Sequence, residues 1–306
     1  MTTRRFRIAA LAAALSAWAL VAVGGVVRVT ESGLGCPDWP LCSGRPIPRT
    51  TKTAVLEYSH RFTALVVTVL VVLVAVLAWR SYRSRRDIIV PALTAAIFIP
   101  FQALLGAIVV WLELPSSLVG IHFVVGMVFL AATVVTAARA FRGVGSVASD
   151  GFARLAWATT GIGFLLVTAG AVVVSAHADE ACGEQWPACN GAFVAGGGDA
   201  AAQVVHRTLA YVVAGLAVCL LVLALRGRGP RIAGALPFLA VAGQIALGIS
   251  LVLVGDGTSA HAPLDALHVA GSGAVWASLV ALAALCPPKR RATKARPAIV
   301  TAARAL

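Results

Sequence analysis

The chain has 306 residues, of which 59% are hydrophobic and only 12% charged. A soluble domain carries about a quarter charged residues, so a water-soluble globule of this size is excluded. The net charge of +13 does not mark a nucleic-acid partner, because the basic residues fall in clusters between apolar runs rather than on one surface.

Eight nearly charge-free stretches follow one another, each about the 20 residues needed to cross a bilayer as a helix. The first, near 8–27, follows Arg4, Arg5 and Arg7. It is longer than the apolar region of a secretory signal, about 7–15 residues, and reads as a true span. A polar loop, 28–54, carries Cys36-Pro-Asp-Trp-Pro-Leu-Cys42. The second span, near 55–78, opens on EYSHR (57–61), which places Glu57 and His60 on one helix face, and is followed by Arg80, Arg83, Arg85 and Arg86. The third, near 89–112, holds Gln102 and Gly106, and the fourth, near 118–138, holds His122 and is followed by Arg139, Arg142 and Arg154.

The fifth span, near 155–176, leads into a second polar loop, 177–201, with Cys182-Gly-Glu-Gln-Trp-Pro-Ala-Cys189. The sixth, near 202–225, carries Gln203, His206 and Arg207 and ends at Arg226, Arg228 and Arg231. The seventh, near 232–254, repeats a glutamine and glycine four apart, Gln244 and Gly248, and the eighth, near 264–286, carries His268. The tail from 289 is basic: Lys289, Arg290, Arg291, Lys294, Arg296 and Arg304. Most of the 25 basic residues therefore lie at one set of span ends, and the positive-inside rule puts both termini in the cytoplasm. Anionic lipid is a further expected contact for these residues.

The chain repeats itself. His60 and His206, His122 and His268, and Cys36 and Cys182 are each 146 residues apart. HRFTALVVTVL (60–70) aligns with HRTLAYVVAGL (206–216), and GGVV (24–27) with GAVV (170–173). Four spans per half is an even number, so both halves keep one orientation and the repeat is parallel, with its pseudo-two-fold axis along the membrane normal. The expected fold is all-α and membrane-integral: two four-helix bundles, 1–142 and 155–288, a cytoplasmic linker 143–154, and a tail 289–306. Gly24, Gly25, Gly106, Gly170, Gly248, Gly271 and Gly273 suit close helix packing.

The four repeat-related histidines lie at one depth, four or five residues into the even-numbered spans and roughly 6–8 Å from their outer ends. Polar groups inside a bilayer are costly and mark function. Two neutral imidazoles on facing helices suit bis-histidine haem ligation. His60 with His122, and His206 with His268, would each hold one haem iron. Arg61 and Arg207 could meet haem propionates or snorkel to the interface. A di-iron centre needs two Glu-x-x-His helices and two more acids, and with Gln203 at the position equivalent to Glu57 the ligand count fails. Zinc would need three or four clustered ligands.

Both loops face an oxidising compartment, so a disulfide within each is the economical reading, although four cysteines allow three connectivities. Each loop is expected to lid the pocket beneath it, and a redox role for Cys36 and Cys42 stays open. Cys219 reads as core packing, and His177 and His261 as solvent residues.

The eight spans, the E-x-x-H-R motif at 57–61, His122, His206, His268 and the CPDWPLC loop together resemble bacterial haem A synthase over the chain up to about 286. The paired-cysteine loops resemble the form in Gram-positive and related bacteria. This resemblance implies oxidation of the C8 methyl of haem O to a formyl by successive hydroxylations with water-derived oxygen, yielding haem A for terminal oxidases. It implies that His60 and His122 serve haem O, that His206 and His268 serve a haem b cofactor, and that Glu57 takes part in the chemistry. It further implies a bacterial cell-membrane location, a haem O synthase upstream and terminal oxidase assembly downstream; a homo-oligomer is compatible. From the residues, Glu57 against Gln203 is the asymmetry that marks the first half for chemistry. A di-haem electron carrier working with quinol would need haems near both faces, and a non-catalytic haem chaperone or exporter would leave the Glu57/Gln203 difference unexplained.

Overall fold

A computed structural model describes residues 2–48, 50–142, 148–179, 181–189, 191, 197–255 and 258–287. Residues 143–147 of the expected linker and the whole basic tail from 289 lie outside them, and the rest of that linker opens α5. Among the described residues there are eight α-helices and no strand: α1 (Arg4–Val29), α2 (Lys52–Ser81), α3 (Arg86–Trp111), α4 (Ser116–Phe141), α5 (Asp150–Ser175), α6 (Asp199–Leu225), α7 (Arg231–Val254) and α8 (His261–Leu285). All eight are long and apolar enough to cross a membrane, and the protein is an all-α multi-pass membrane protein.

The helices outrun the apolar stretches because polar caps extend them into the interface. The Thr3 hydroxyl accepts the Phe6 N–H at the start of α1, and the Ser149 hydroxyl accepts that of Phe152 at the start of α5, each satisfying an orphan donor of the first turn. The even helices begin without a side-chain cap, yet their first residues also come earlier than the apolar pattern suggests. The four histidines sit six to eight residues in, roughly 9–12 Å from the helix starts and deeper than expected. Their depths still match.

Each half closes on itself: α1–α2, α2–α3, α3–α4 and α4–α1 pack as neighbours, as do α5–α6, α6–α7, α7–α8 and α8–α5. The halves meet through α1 on α8, α4 on α5, and α4 on α8. Exchanging the halves turns the first of these pairs into the second and returns the third unchanged, the pattern a two-fold relation produces. Small residues let the halves approach. A Cβ on Gly25 of α1 would lie 2.8 Å from Val269 Cγ1 of α8, so only glycine permits this crossing. Deeper in, the Trp276 indole N–H of α8 donates to the Met127 carbonyl of α4 at 2.7 Å. The Trp18 indole N–H of α1 donates to the Ala270 carbonyl of α8 at 2.9 Å. Both spend a polar tip on a backbone oxygen within an apolar seam.

The outward faces are apolar: Phe101 is 61% exposed and Ile232 80%, as a surface meant for acyl chains requires. Cys219 belongs to this surface rather than to the core: it is exposed, because the buried residues of α6 (Val213, Ala217, Leu220 and Ala224) lie on another face.

Candidate functional site

Each of the four histidines leans on a glycine of the helix before it. A Cβ on Gly24 of α1 would stand 3.1 Å from His60 Cε1, on Gly106 of α3 3.3 Å from His122 Cε1, on Gly170 of α5 3.0 Å from His206 Cε1, and on Gly248 of α7 3.2 Å from His268 Cε1. These glycines are seats for the rings as well as helix-packing devices. In every case the Cε1 and Nδ1 edge is turned toward the seat, which leaves Nε2 to face the cavity. The His206 Nδ1 lies 3.3 Å from the Leu166 carbonyl, four residues before its seat glycine. Leu20, the equivalent residue of α1, also turns its carbonyl toward His60, without reaching hydrogen-bond geometry. An Nδ1–H directed at a carbonyl fixes the tautomer in which Nε2 carries a free lone pair.

All four rings line one cavity of about 1090 Å³ that runs through both halves, as large as the upper range of small-molecule sites. His60 and His122 come from the first half and His206 and His268 from the second. Apolar side chains such as Leu20, Phe62, Phe123, Leu166 and Ile249 make the walls. Among the described residues no group of three or more His, Cys, Asp or Glu could chelate a bare metal ion. Two imidazoles per half, apolar walls and free Nε2 positions fit a planar group that brings four equatorial ligands of its own, which is what a haem does.

The two loops lie at the end of the cavity, which Trp39 and Pro40 of the first and Trp186 of the second help to line. Each is closed by its own disulfide, Cys36–Cys42 and Cys182–Cys189, so one of the three possible connectivities is realised. An arginine next to a histidine clamps each loop. Arg61 Nη1 donates to the Asp38 and Leu41 carbonyls, both at 2.7 Å, and Nη2 to the Cys36 carbonyl at 2.8 Å. Arg207 Nη1 donates to the Gln185 and Ala188 carbonyls at 2.8 and 3.1 Å. Both guanidiniums also border the cavity. In the first loop the Asp38 carboxylate accepts the N–H groups of Ser43 and Gly44. The Gly44 bond foremost holds that carboxyl below its ordinary range.

Glu57 is only 4% exposed. Its Oε2 accepts the Cys36 N–H at 2.6 Å and its Oε1 accepts the Arg61 guanidinium. It stands one turn from His60 but behind the loop, and is not among the residues bordering the cavity. Gln203, at the equivalent place, does border the cavity and donates its amide to the Asp179 carbonyl at 2.6 Å. The same position thus fastens a loop in both halves, with a charged acceptor in one and a neutral donor in the other.

Two features escaped the reading of the sequence. Asp265 precedes His268 by three residues, so an acid also stands one turn from a histidine in the second half, contrary to the expected asymmetry. The repeat offset concealed it by pairing Asp265 with Val119. Asp265 accepts Arg28 Nη1 of α1 at 3.1 Å, joining the two halves at the cavity edge. His261, taken as a solvent residue, opens α8 and borders the same cavity.

Residues 7–280 match the family described as cytochrome oxidase assembly protein, COX15-CtaA. The chain is 32% identical over 245 residues to heme A synthase of Halalkalibacterium halodurans, covering 76% of this chain and 82% of the relative. It is 29% identical over 268 residues to heme A synthase of Alkalihalophilus pseudofirmus, covering 84% and 90%.

Proposed function

The chain belongs to the COX15-CtaA family of cytochrome oxidase assembly proteins, which takes in the heme A synthases, and from that premise we propose that it oxidises haem O to haem A. The observation that carries the reading is the set of four glycine-seated histidines, two from each half and presenting Nε2 to a shared cavity. In this reading His60 and His122 hold the substrate haem O through its iron, and His206 and His268 hold haem b. When bound, haem b supplies one-electron redox chemistry next to the substrate.

The net change at the C8 methyl is CH3 plus one water giving CHO, four protons and four electrons. Two successive hydroxylations with water-derived oxygen achieve it, the gem-diol then losing one water. The protein's part is to position the substrate, exclude bulk water and manage charge. The disulfide-closed loops, held by Arg61 and Arg207, cover the outer end of the cavity and limit solvent entry. Both arginines border the cavity; Arg61 spends its Nη groups on the loop and Glu57, whereas Arg207, which serves two carbonyls through Nη1, has N–H groups left to meet a propionate.

Glu57 lies behind the loop rather than in the cavity wall, so its proposed catalytic part is electrostatic. A fixed carboxylate one turn from His60 favours positive charge developing on the substrate, with Arg61 and the Cys36 amide holding it in place. Glu57→Gln is expected to retain bound haem but to stop haem A formation, measured by chromatography of extracted pigment. Normal haem A in that variant removes Glu57 from the chemistry. His206→Ala is expected to deplete haem b selectively, with the first-half site still able to take up haem O.

The distribution of basic residues supports placing both termini in the bacterial cytoplasm and the haem sites near the outer face. A haem O synthase must supply the substrate, and terminal oxidase assembly would consume the product. A homo-oligomer is compatible with the exposed lateral faces.

A further inference from the structure

The glutamine and glycine four apart in α3 and α7 have so far explained only half of what they hold. The glycines, Gly106 and Gly248, seat the rings of His122 and His268. The glutamines, Gln102 and Gln244, sit one helical turn before those seats on the same face, and both border the cavity. Each donates its amide N–H to the backbone carbonyl of the histidine it accompanies. Gln102 Nε2 lies 3.2 Å from the His122 carbonyl, and Gln244 Nε2 2.8 Å from that of His268. The amide oxygens, by contrast, are buried and have no hydrogen-bond partner among the described residues, and the same holds for His122 Nδ1 and His268 Nδ1.

A buried acceptor and a buried donor left unsatisfied are costly. Here each half holds one of each, on a glutamine and a histidine already joined through the histidine's carbonyl. His122 Nδ1 stands 3.9 Å from the Cβ position of Gly106, and His268 Nδ1 3.8 Å from that of Gly248. Side chains four apart on a helix have Cβ atoms about 5–6 Å apart, so the glutamine side chain and the imidazole share one neighbourhood; Gln244 Oε1 lies against Gly271 of α8, and rotation of the side chain, or one bridging water, brings such an oxygen to Nδ1. In α1 and α5 the residue four before the seat is Leu20 or Leu166, with no side-chain acceptor. There the backbone carbonyl faces the ring, as Leu166 does for His206.

We propose that Gln102 and Gln244 are positioning residues that set the electronic character of one axial histidine in each half. Their amide oxygens accept the Nδ1–H of His122 and His268 once Nε2 binds iron. This rests on the bis-histidine haem reading above. Each haem then has two unlike ligands: one facing a main-chain carbonyl, at 3.3 Å for His206 and short of hydrogen-bond geometry for His60, and one backed by a side chain that can be changed without disturbing the backbone. An acceptor at Nδ1 raises the basicity of the ligating imidazole, which favours ferric iron.

The test uses the full-length protein purified with its resident haem. Midpoint potential and low-spin electron paramagnetic resonance are measured for wild type, Gln244→Leu and Gln244→Glu. Removing the acceptor is expected to raise the potential and a carboxylate to lower it, each by the order of a tenfold change in the oxidised-to-reduced ratio, about 59 mV for a one-electron couple. The g-values should move in opposite directions in the two variants. Gln102→Leu and Gln102→Glu should do the same to haem O loaded into the first half. If Gln244→Leu loses its haem, the near-isosteric Gln244→Glu decides by the sign of its shift. Retained haem with unchanged potential and g-values overturns the inference while leaving the haem reading intact. Shifts of one sign in both Gln244 variants, the mark of a packing change, overturn it as well. Wild-type protein that never carries haem overturns the haem reading itself, and this inference with it.

Discussion

At the scale of the residue, four seat glycines make four ring positions. A methyl group at Gly170 would stand 3.0 Å from His206 Cε1, at Gly24 3.1 Å from His60, at Gly248 3.2 Å from His268 and at Gly106 3.3 Å from His122. Overpacking of this kind typically costs about 1–3 kcal/mol, and here the imidazole must give way. Glycine to alanine at each of the four seats is therefore expected to perturb haem binding, read from the low-spin absorption of the purified variants. Unchanged absorption in all four would mean that the rings do not rest on these atoms. The histidines were legible because an imidazole in an apolar run is conspicuous and the repeat multiplied the signal. Their seats were seen only as generic small residues, since what a seat contributes is the absence of a side chain opposite a ring that sequence cannot place. Asp265 was missed for the opposite reason: comparison of the halves gave it an apolar counterpart and hid the acid.

At the scale of the element, each outer loop is a disulfide-closed turn fastened to the helix that carries its histidine. The fastenings differ in strength. Arg61 serves three loop carbonyls and the buried Glu57 carboxylate, whereas Arg207 serves two carbonyls. Arg61→Met strands a buried carboxylate, a loss of about 3–5 kcal/mol. Arg207→Met forfeits two charge-assisted bonds at about 1.5–3 kcal/mol each before water compensates. Hydrogen exchange should show the first loop opening far more after Arg61→Met than the second after Arg207→Met. The first loop also carries a pH dependence. The Asp38 carboxyl is lowered chiefly by the Gly44 N–H, so its contribution is complete above the unfolded value of about 4. It is lost as pH falls through the lower folded value. Exchange at Ser43 and Gly44 should accelerate below about pH 4, and in Asp38→Asn that acid-side step should vanish. The eight helices were readable from hydropathy, and a disulfide within each loop was the economical reading of its cysteine pair, one of three connectivities and the one realised. The clamps were not, because a main-chain carbonyl leaves no trace in the residue alphabet.

At the scale of the molecule, two halves of like construction share one cavity and meet through contacts that survive their exchange. The Arg28–Asp265 ion pair is a departure from that equivalence, since the corresponding residues at the opposite seam are Val174 and Val119. With side chains 32% and 23% exposed, its worth to stability is small, on the order of 1 kcal/mol or less. Arg28→Met and Asp265→Asn should accordingly leave thermal stability nearly unchanged, and a double-mutant cycle should return a coupling below about 1 kcal/mol. A larger coupling would identify the pair as the principal tie between the halves.

A ring of four helices that meets its copy at a pairing equal to itself under exchange is the interface of a symmetric homodimer. Built within one chain, that interface is free of the constraint a true dimer carries, because a substitution in one half need not appear in the other. Arg28 and Asp265, whose counterparts are Val174 and Val119, use that freedom to place a single charged tie on one side of the seam.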